Sequence, residues 1–368
     1  MTAARKLAIL HTEASRGWGG QEIRILTEAA GMIARGHRVM LACPGDARIF
    51  REATRFKVPA VELPLGRKKP GAVFELRRWL AGQKFDVINS HSSTDTWLVA
   101  LARLMLLAPP PLVRTRHISA AVPRNLATGW LYRRATSRVV TTGEALRTQL
   151  IRDNGLDPNR VISVPTGIDP AHFQPGDRLL ARKLLNLPAD GELIGIVATL
   201  RSWKGHRFLF EALRRVERPN ARLVVVGDGP QRSPLFRLAA DLDILDRVVF
   251  AGNQNDVAPW LRALDVFALP SYANEGVPQA LLQAMMTGLA CVTTAAGAIG
   301  EVAQNELTAL VVPMQDAGGL AKALARLLDD AELRHRLGDT AREAVRARHS
   351  LEAMLDRMEV VFSLAARG

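Results

Sequence analysis

Val266-Phe267-Ala268-Leu269-Pro270-Ser271-Tyr272-Ala273-Asn274-Glu275-Gly276-Val277-Pro278-Gln279-Ala280-Leu281-Leu282-Gln283-Ala284-Met285 reads as a strand, a polar loop and a helix, in that order. Four apolar residues run into Pro270, and the loop beyond carries one carboxylate, Glu275. Pro278 suits the first turn of a helix, where its missing N–H removes no bond. An apolar run without alternation is a strand covered on both faces, as in a parallel sheet flanked by helices.

The same unit recurs in both directions along the chain. Strands are expected at Leu7–Leu10, Arg38–Ala42, Ala60–Leu63, Asp86–Ser90, Leu112–His117, Arg138–Thr142 and Val161–Val164. The pattern restarts with Leu193–Leu200, Arg222–Val226, Val248–Ala251, Val266–Leu269, Ala290–Thr294 and Leu310–Val312. Helical stretches alternate with these runs, which is the signature of an α/β protein with parallel sheets. Between the two series, His172-Phe173-Gln174-Pro175-Gly176-Asp177 is turn-rich and aperiodic. The expected domains are therefore residues 1–172 and 173–349, with a terminal helix at about 350–368 packing back on the first. The fold class is α/β: two Rossmann-like doubly wound domains facing across a cleft, with ligands bound beyond the carboxyl ends of the strands.

Composition narrows the function. Of 368 residues, 48% are hydrophobic and 23% charged, which excludes disorder, collagen and a disulfide scaffold. The two cysteines, Cys43 and Cys291, lie far apart in apolar stretches and read as buried thiols in a reducing compartment. No signal peptide fits before the first strand. The apolar run from Trp97 to Leu107 is too short for a span, which needs about 20 residues. A cytoplasmic protein is expected. Its net charge of +13 is uneven: residues 1–180 hold 27 basic and 14 acidic residues, and the remainder 22 of each. Clusters such as Arg67-Lys68-Lys69, Arg77-Arg78 and Arg133-Arg134 suit an anionic partner, such as lipid headgroups at the inner face of a membrane. Nucleic acid is disfavoured, since aromatic residues are 5% and no recognition motif is present.

The strand ends carry the polar residues. Arg16-Gly17-Trp18-Gly19-Gly20-Gln21-Glu22 leads from the first strand into a helix whose unpaired N–H groups suit an anion. It is not the GxGxxG fingerprint, so a nicotinamide cofactor is not indicated. His91 and His117 each follow a strand and are expected to project at the edge of the cleft. Arg201 and Lys204 flank a strand-to-helix turn, where two cations can neutralise a diphosphate. Gly276 and Val277 present N–H groups at a helix start, and Glu275 and Gln283 can bond different parts of one elongated ligand. No metal-ligand spacing occurs. Asp241-Leu242-Asp243 has the DxD spelling but falls in a helical stretch of mixed charges and reads as a solvated face.

Trp18-Gly19-Gly20, the strand end at His117, Pro165-Thr166-Gly167-Ile168-Asp169, Lys204-Gly205, Val226-Gly227-Asp228-Gly229-Pro230 and the segment from Glu275 to Gly288 stand in a telling order. Over essentially its whole length the chain resembles the large fourth family of retaining, sugar-nucleotide-dependent glycosyltransferases with the GT-B architecture. The resemblance implies an acceptor-side first domain and a nucleotide-sugar-binding second domain. Gly19 and Gly20 would approach the donor diphosphate from the first, and Arg201 and Lys204 would neutralise it from the second. His117 would lie near the donor sugar, Glu275 would hold its hydroxyls, and Gly276, Val277 and Pro278 would complete the sugar and phosphate contacts. The implied reaction moves a sugar from a UDP- or GDP-sugar to a glycan or lipid-linked acceptor, as in cell-surface polysaccharide or lipopolysaccharide synthesis, with no metal or other cofactor.

Two positions depart from the family. Its second glutamate, which binds the ribose hydroxyls, is here Gln283, whose amide oxygen still accepts a hydroxyl proton but without charge assistance. Thr199 stands where the family tends to carry arginine, and Arg201 is expected to substitute. A single carboxylate in this segment argues against a glycoside hydrolase, which needs two. The alternatives are a sugar-nucleotide epimerase and a non-catalytic sugar-nucleotide-binding protein on the same architecture.

Overall fold

The computed structural model describes residues 5–118, 120–273 and 275–367. The chain forms two compact units. One runs to Gly167 and takes back the chain from Glu352, and the other spans Ile168–Leu351. The boundary thus falls five residues before the expected 172/173, for a reason of backbone pairing. Ile168 N–H donates to His349 O at 2.8 Å, and Leu351 N–H donates to Ile168 O at 2.9 Å. These bonds tie the entry and exit of the second unit together, and turn composition alone carries no trace of them.

The first unit has seven parallel strands, β1 (Ala8–Thr12), β2 (Arg38–Cys43), β3 (Ala60–Glu62), β4 (Val87–Ser90), β5 (Leu112–Arg116), β6 (Arg138–Thr141) and β7 (Val161–Ser163), in the order β3-β2-β1-β4-β5-β6-β7. The second has six, β8 (Leu193–Val197), β9 (Arg222–Val226), β10 (Val248–Gly252), β11 (Val266–Leu269), β12 (Ala290–Thr293) and β13 (Leu310–Val311), in the order β10-β9-β8-β11-β12-β13. All lie where the apolar runs place them. The largest difference is β8, which stops at Val197 because Leu200 N–H turns away to Asp228 O at 3.0 Å. In each unit the order reverses beside the first strand, between β1 and β4 and between β8 and β11.

Local sequence sets the helix starts. Ser92 and Asp95 form a capping box at the head of the helix Ser93–Arg103. The Asp95 carboxylate also accepts from His91 N–H at 3.0 Å and from Thr12 Oγ1 at 2.7 Å, so the cap locks this helix to the end of β1. The terminal helix Leu351–Ala366 completes the first unit by burying Met354, Leu355, Met358, Val361 and Phe362. It approaches the helix Gly20–Ala34 so closely that a Cβ on Gly31 would stand 2.5 Å from Leu355 Cδ1. Arg35, at the carboxyl end of that helix, reaches Glu352 at 2.5 Å, Asp356 at 2.7 Å and Glu359 at 3.1 Å. These pairs are half exposed and orient more than they stabilise. Among the described residues no helix is long and apolar enough to cross a membrane. Cys43 and Cys291 are buried free thiols.

Phe362 is fully buried. Truncating it to alanine leaves a large void under β1, and Phe362→Ala is expected to cost the first unit about 3–5 kcal/mol in urea unfolding. A loss below about 1 kcal/mol would mean that the terminal helix is not part of this core.

Candidate functional site

In the second unit the polar groups gather where β8 and β11 part. The loop after β8 carries Arg201 and Lys204, and the loop after β11 carries Glu275. Lys204 Nζ lies 2.6 Å from Glu275 Oε1, and the glutamate is buried. The two loops touch along their backbones. Gly205 (φ +77°) is so close to Pro270 that a Cβ would stand 2.0 Å from its carbonyl oxygen, and Tyr272 N–H donates to Trp203 O at 2.9 Å. On the other side Gly297 (φ +59°) leaves 2.1 Å between a virtual Cβ and Glu275 O. Side chains at either glycine would push the Lys204–Glu275 pair apart.

Gly276, Val277 and Pro278 are buried directly after Glu275. Pro278 is the cap (φ −69°, ψ 126°) of the helix Gln279–Met286 rather than a residue of its first turn, one position from expectation. Leu282 N–H closes the first turn on Pro278 O at 3.2 Å, so the N–H groups before it point out of the helix start. Gln283 is buried, and its amide has no hydrogen-bond partner among the described residues. Arg201 stands apart from the ion pair. It is exposed, with its guanidinium 5.6 Å from the Trp203 ring centroid and no carboxylate partner among the described residues. Sequence reasoning passed over His206 and Ser271; His206 Nδ1 and Nε2 and Ser271 Oγ are buried without partners among the described residues. Burial and Lys204 push His206 down to about 3, so it is neutral. Asp241 and Asp243 are exposed at a helix end.

In the first unit the corresponding place is the end of β1, β4 and β5. Gly19 caps the helix Gly20–Ala34, and Gly20, its first residue, is exposed. His117 is half-buried one residue past β5. His91 is not at the edge, as expected, but is 2% exposed. Its ring lies between two others, with Nε2 2.9 Å from His11 Nδ1 and Nδ1 3.0 Å from His117 Nε2. Burial pushes His11 down to about 3. Burial together with the Arg24 and Arg114 cations holds His91 and His117 far below the usual imidazole range. Among the described residues no group of His, Cys, Asp and Glu side chains is arranged to hold a metal ion.

Around this row the acids are buried too. Arg24 and Glu28 face each other at 3.7 Å with both side chains fully buried, and burial raises Glu28 to about 7. Glu13 accepts from the N–H groups of Ala14 and Ser15 at 2.7 Å and from Gln21 at 2.5 Å. Burial, followed by the nearby Asp95 and Glu22, nonetheless raises it from 4.5 to about 8. The sequence shows Glu13 only as a residue after a strand, with nothing to mark it as neutral.

The sign of the pH dependence follows from linkage. The depressed histidines stabilise fully above 6.5, their unfolded value, and withdraw that stability as pH falls. The raised Glu13 stabilises below 4.5, and this contribution is lost as pH rises through about 8. From pH 6.5 to 8 the carboxyl effect therefore stands alone, and stability is expected to decline across it. Glu13→Gln should make that decline shallower in urea unfolding, leaving the part that Glu28, raised to about 7, contributes. An unchanged slope would show that Glu13 ionises normally in the folded chain.

Two family profiles match the chain: "Glycosyltransferase Family 4" over residues 18–172 and "Glycosyl transferases group 1" over residues 177–344. The chain is 28% identical over 279 residues to a UDP-Gal:alpha-D-GlcNAc-diphosphoundecaprenol alpha-1,3-galactosyltransferase of Escherichia coli, covering 71% of each. It is 32% identical over 281 residues to D-inositol 3-phosphate glycosyltransferase 2 of Catenulispora acidiphila, covering 73% of this chain and 62% of that one. The chain thus spans about six tenths of the inositol phosphate relatives' length. Its fold is that of HepE from Anabaena in complex with UDP and glucose, with a TM-score of 0.87 at 19% identity over 97% of this chain and 99% of that one. The lipopolysaccharide glycosyltransferase WaaG has a TM-score of 0.74 at 19% identity, over 96% and 99%. With both halves matched by profiles and both sheets built as two Rossmann-like domains, the chain belongs to the group 1 glycosyltransferases of the GT-B class.

Proposed function

We propose that this glycosyltransferase acts with retention and without a metal, moving a hexose from a UDP- or GDP-sugar to a glycan or lipid-linked acceptor in cell-surface polysaccharide or lipopolysaccharide synthesis. The observation that carries the reading is the Lys204–Glu275 pair at the β8/β11 parting, set beside the start of the helix Gln279–Met286. Glu275 accepts from the sugar hydroxyls. Lys204, with Arg201 and the outward N–H groups at Gly276 and Val277, offsets the charge that grows on the diphosphate as the bond from the anomeric carbon to its oxygen breaks. The acceptor oxygen bonds to that carbon on the face the diphosphate leaves, and its proton passes to a phosphate oxygen. Gln283 takes a ribose hydroxyl through its amide oxygen. Gly19, Gly20 and His117 serve the donor from the first unit. The galactosyltransferase relative and the UDP-bound neighbour support a diphosphate donor.

Thermal shifts with UDP, GDP, UDP-glucose, UDP-N-acetylglucosamine and GDP-mannose, with and without EDTA, test this. One nucleotide class should raise Tm by about 5–10 °C at a hundred times its Kd, whether or not EDTA is present. Glu275→Ala should lower transfer at least about 100-fold with the fold intact, and Gln283→Glu should keep donor affinity. No shift with any ligand on folded protein would favour a chain that does not use these donors, and unchanged turnover in Glu275→Ala would overturn the site.

The acceptor side suits an anionic lipid surface. Phe74, Leu101, Leu104, Met105 and Leu107 are exposed on the helices Pro70–Ala81 and Ser93–Arg103 and the turn that follows. Exposed Arg67, Lys68, Lys69, Arg77 and Arg78 flank them, and Arg77 Nε donates to Met105 O at 3.4 Å, which joins the two elements. Apolar residues ringed by cations fit the headgroup boundary of an anionic bilayer, at about 1 kcal/mol per cation. The chain should float with vesicles containing phosphatidylglycerol and not with phosphatidylcholine alone. Leu104→Glu with Leu107→Glu should abolish flotation; flotation unaffected by those changes would remove this surface from the proposal.

A further inference from the structure

We propose that His91 and His11 are positioning residues that hold His117 as its Nδ1–H tautomer, so that His117 meets its ligand as a hydrogen-bond donor. The tautomer rests on the first unit alone. A donor-sugar hydroxyl as the ligand rests on the transferase reading.

The row has two contacts, His11 Nδ1 to His91 Nε2 and His91 Nδ1 to His117 Nε2. Each contact needs one proton, and a neutral imidazole carries one N–H. His91 can therefore donate in one direction only, which leaves two arrangements. In the first, His117 Nε2–H donates to His91, His91 Nε2–H donates to His11, and His11 Nε2 carries an N–H. That nitrogen is buried with no partner among the described residues. The Phe362 ring of the terminal helix lies nearly perpendicular to the His11 ring, 6.1 Å between centroids, and offers no lone pair to an N–H. In the second, both bonds run the other way, and His11 Nε2 keeps only a lone pair. A buried N–H without an acceptor is the rarer defect in folded chains, so the second arrangement prevails.

Neutrality of the row follows from its surroundings. Burial first, and then Arg24 from the helix Gly20–Ala34 and Arg114 and Arg116 from β5, disfavour an imidazolium at His117. The acids close by are engaged elsewhere: Asp95 accepts from the N–H groups of His91 and Ser92 and from Thr12, and Glu28 faces Arg24. With Nε2 used as an acceptor, Nδ1–H is the polar edge His117 has left, and it has no partner among the described residues. His117 is then unsuited to take a proton from a substrate and suited to give a hydrogen bond to an oxygen.

Selective 15N labelling of the eight histidines of the full chain, read by long-range proton–nitrogen correlation near neutral pH, tests this without any substrate. The expected His117 pattern is pyrrole-like Nδ1 and pyridine-like Nε2. In His91→Leu it should reverse to the Nε2–H form that an unconstrained imidazole favours in water. His91→Asn, whose amide N–H stands in for Nδ1–H, should keep the wild-type pattern. A wild-type His117 that is Nε2–H or doubly protonated, or one indifferent to His91→Leu, overturns the proposal. Because the reading needs no turnover, it stays separate from failure of the transferase assignment, which nucleotide-sugar shifts on the same samples report.

Discussion

In both units the strand order reverses beside the first strand, and the rest of the site depends on that reversal. Where β1 parts from β4 and β8 from β11, the chain after each strand leaves in opposite directions and exposes backbone and side-chain groups that a continuous sheet would cover. Such a place has to be filled with polar groups that satisfy one another or wait for a ligand. The two units fill it differently.

The second unit uses charge. Lys204 and Glu275 come from the two loops that part, and Gly205 and Gly297 allow the backbones to close on them. A buried pair of this kind adds little stability for its desolvation cost, since charges leaving water repay that cost only with good geometry and further bonds. Its use lies in presenting a cation and a carboxylate together. The nearby helix start adds partial positive charge, and the buried amide of Gln283 adds a neutral acceptor.

The first unit, although it carries the chain's whole basic excess, builds its strand ends from neutral groups. Burial strips the charge from three histidines and raises Glu13 and Glu28 toward neutrality. Linked imidazoles confer direction instead of charge, because each bond in the row fixes the proton of the next. The terminal helix meets the buried end of that row through Phe362. Five exposed cations, Arg67, Lys68, Lys69, Arg77 and Arg78, lie outside instead, beside the exposed apolar residues of the helices Pro70–Ala81 and Ser93–Arg103.

By itself the sequence determined the strands, their grouping into two sheets, and the placement of His117, Lys204 and Glu275 just past strand ends. These are local matters, set by whether successive side chains face a core, and periodicity records them. The boundary at Ile168, the cap role of Pro278, the burial of His91, its bond to His11 and the neutrality of Glu13 were decided only by tertiary structure. His11 and His91 lie 80 residues apart in the chain, and Lys204 and Glu275 lie 71. The charge and tautomer of a polar side chain depend on what surrounds it in space, and no local pattern carries that.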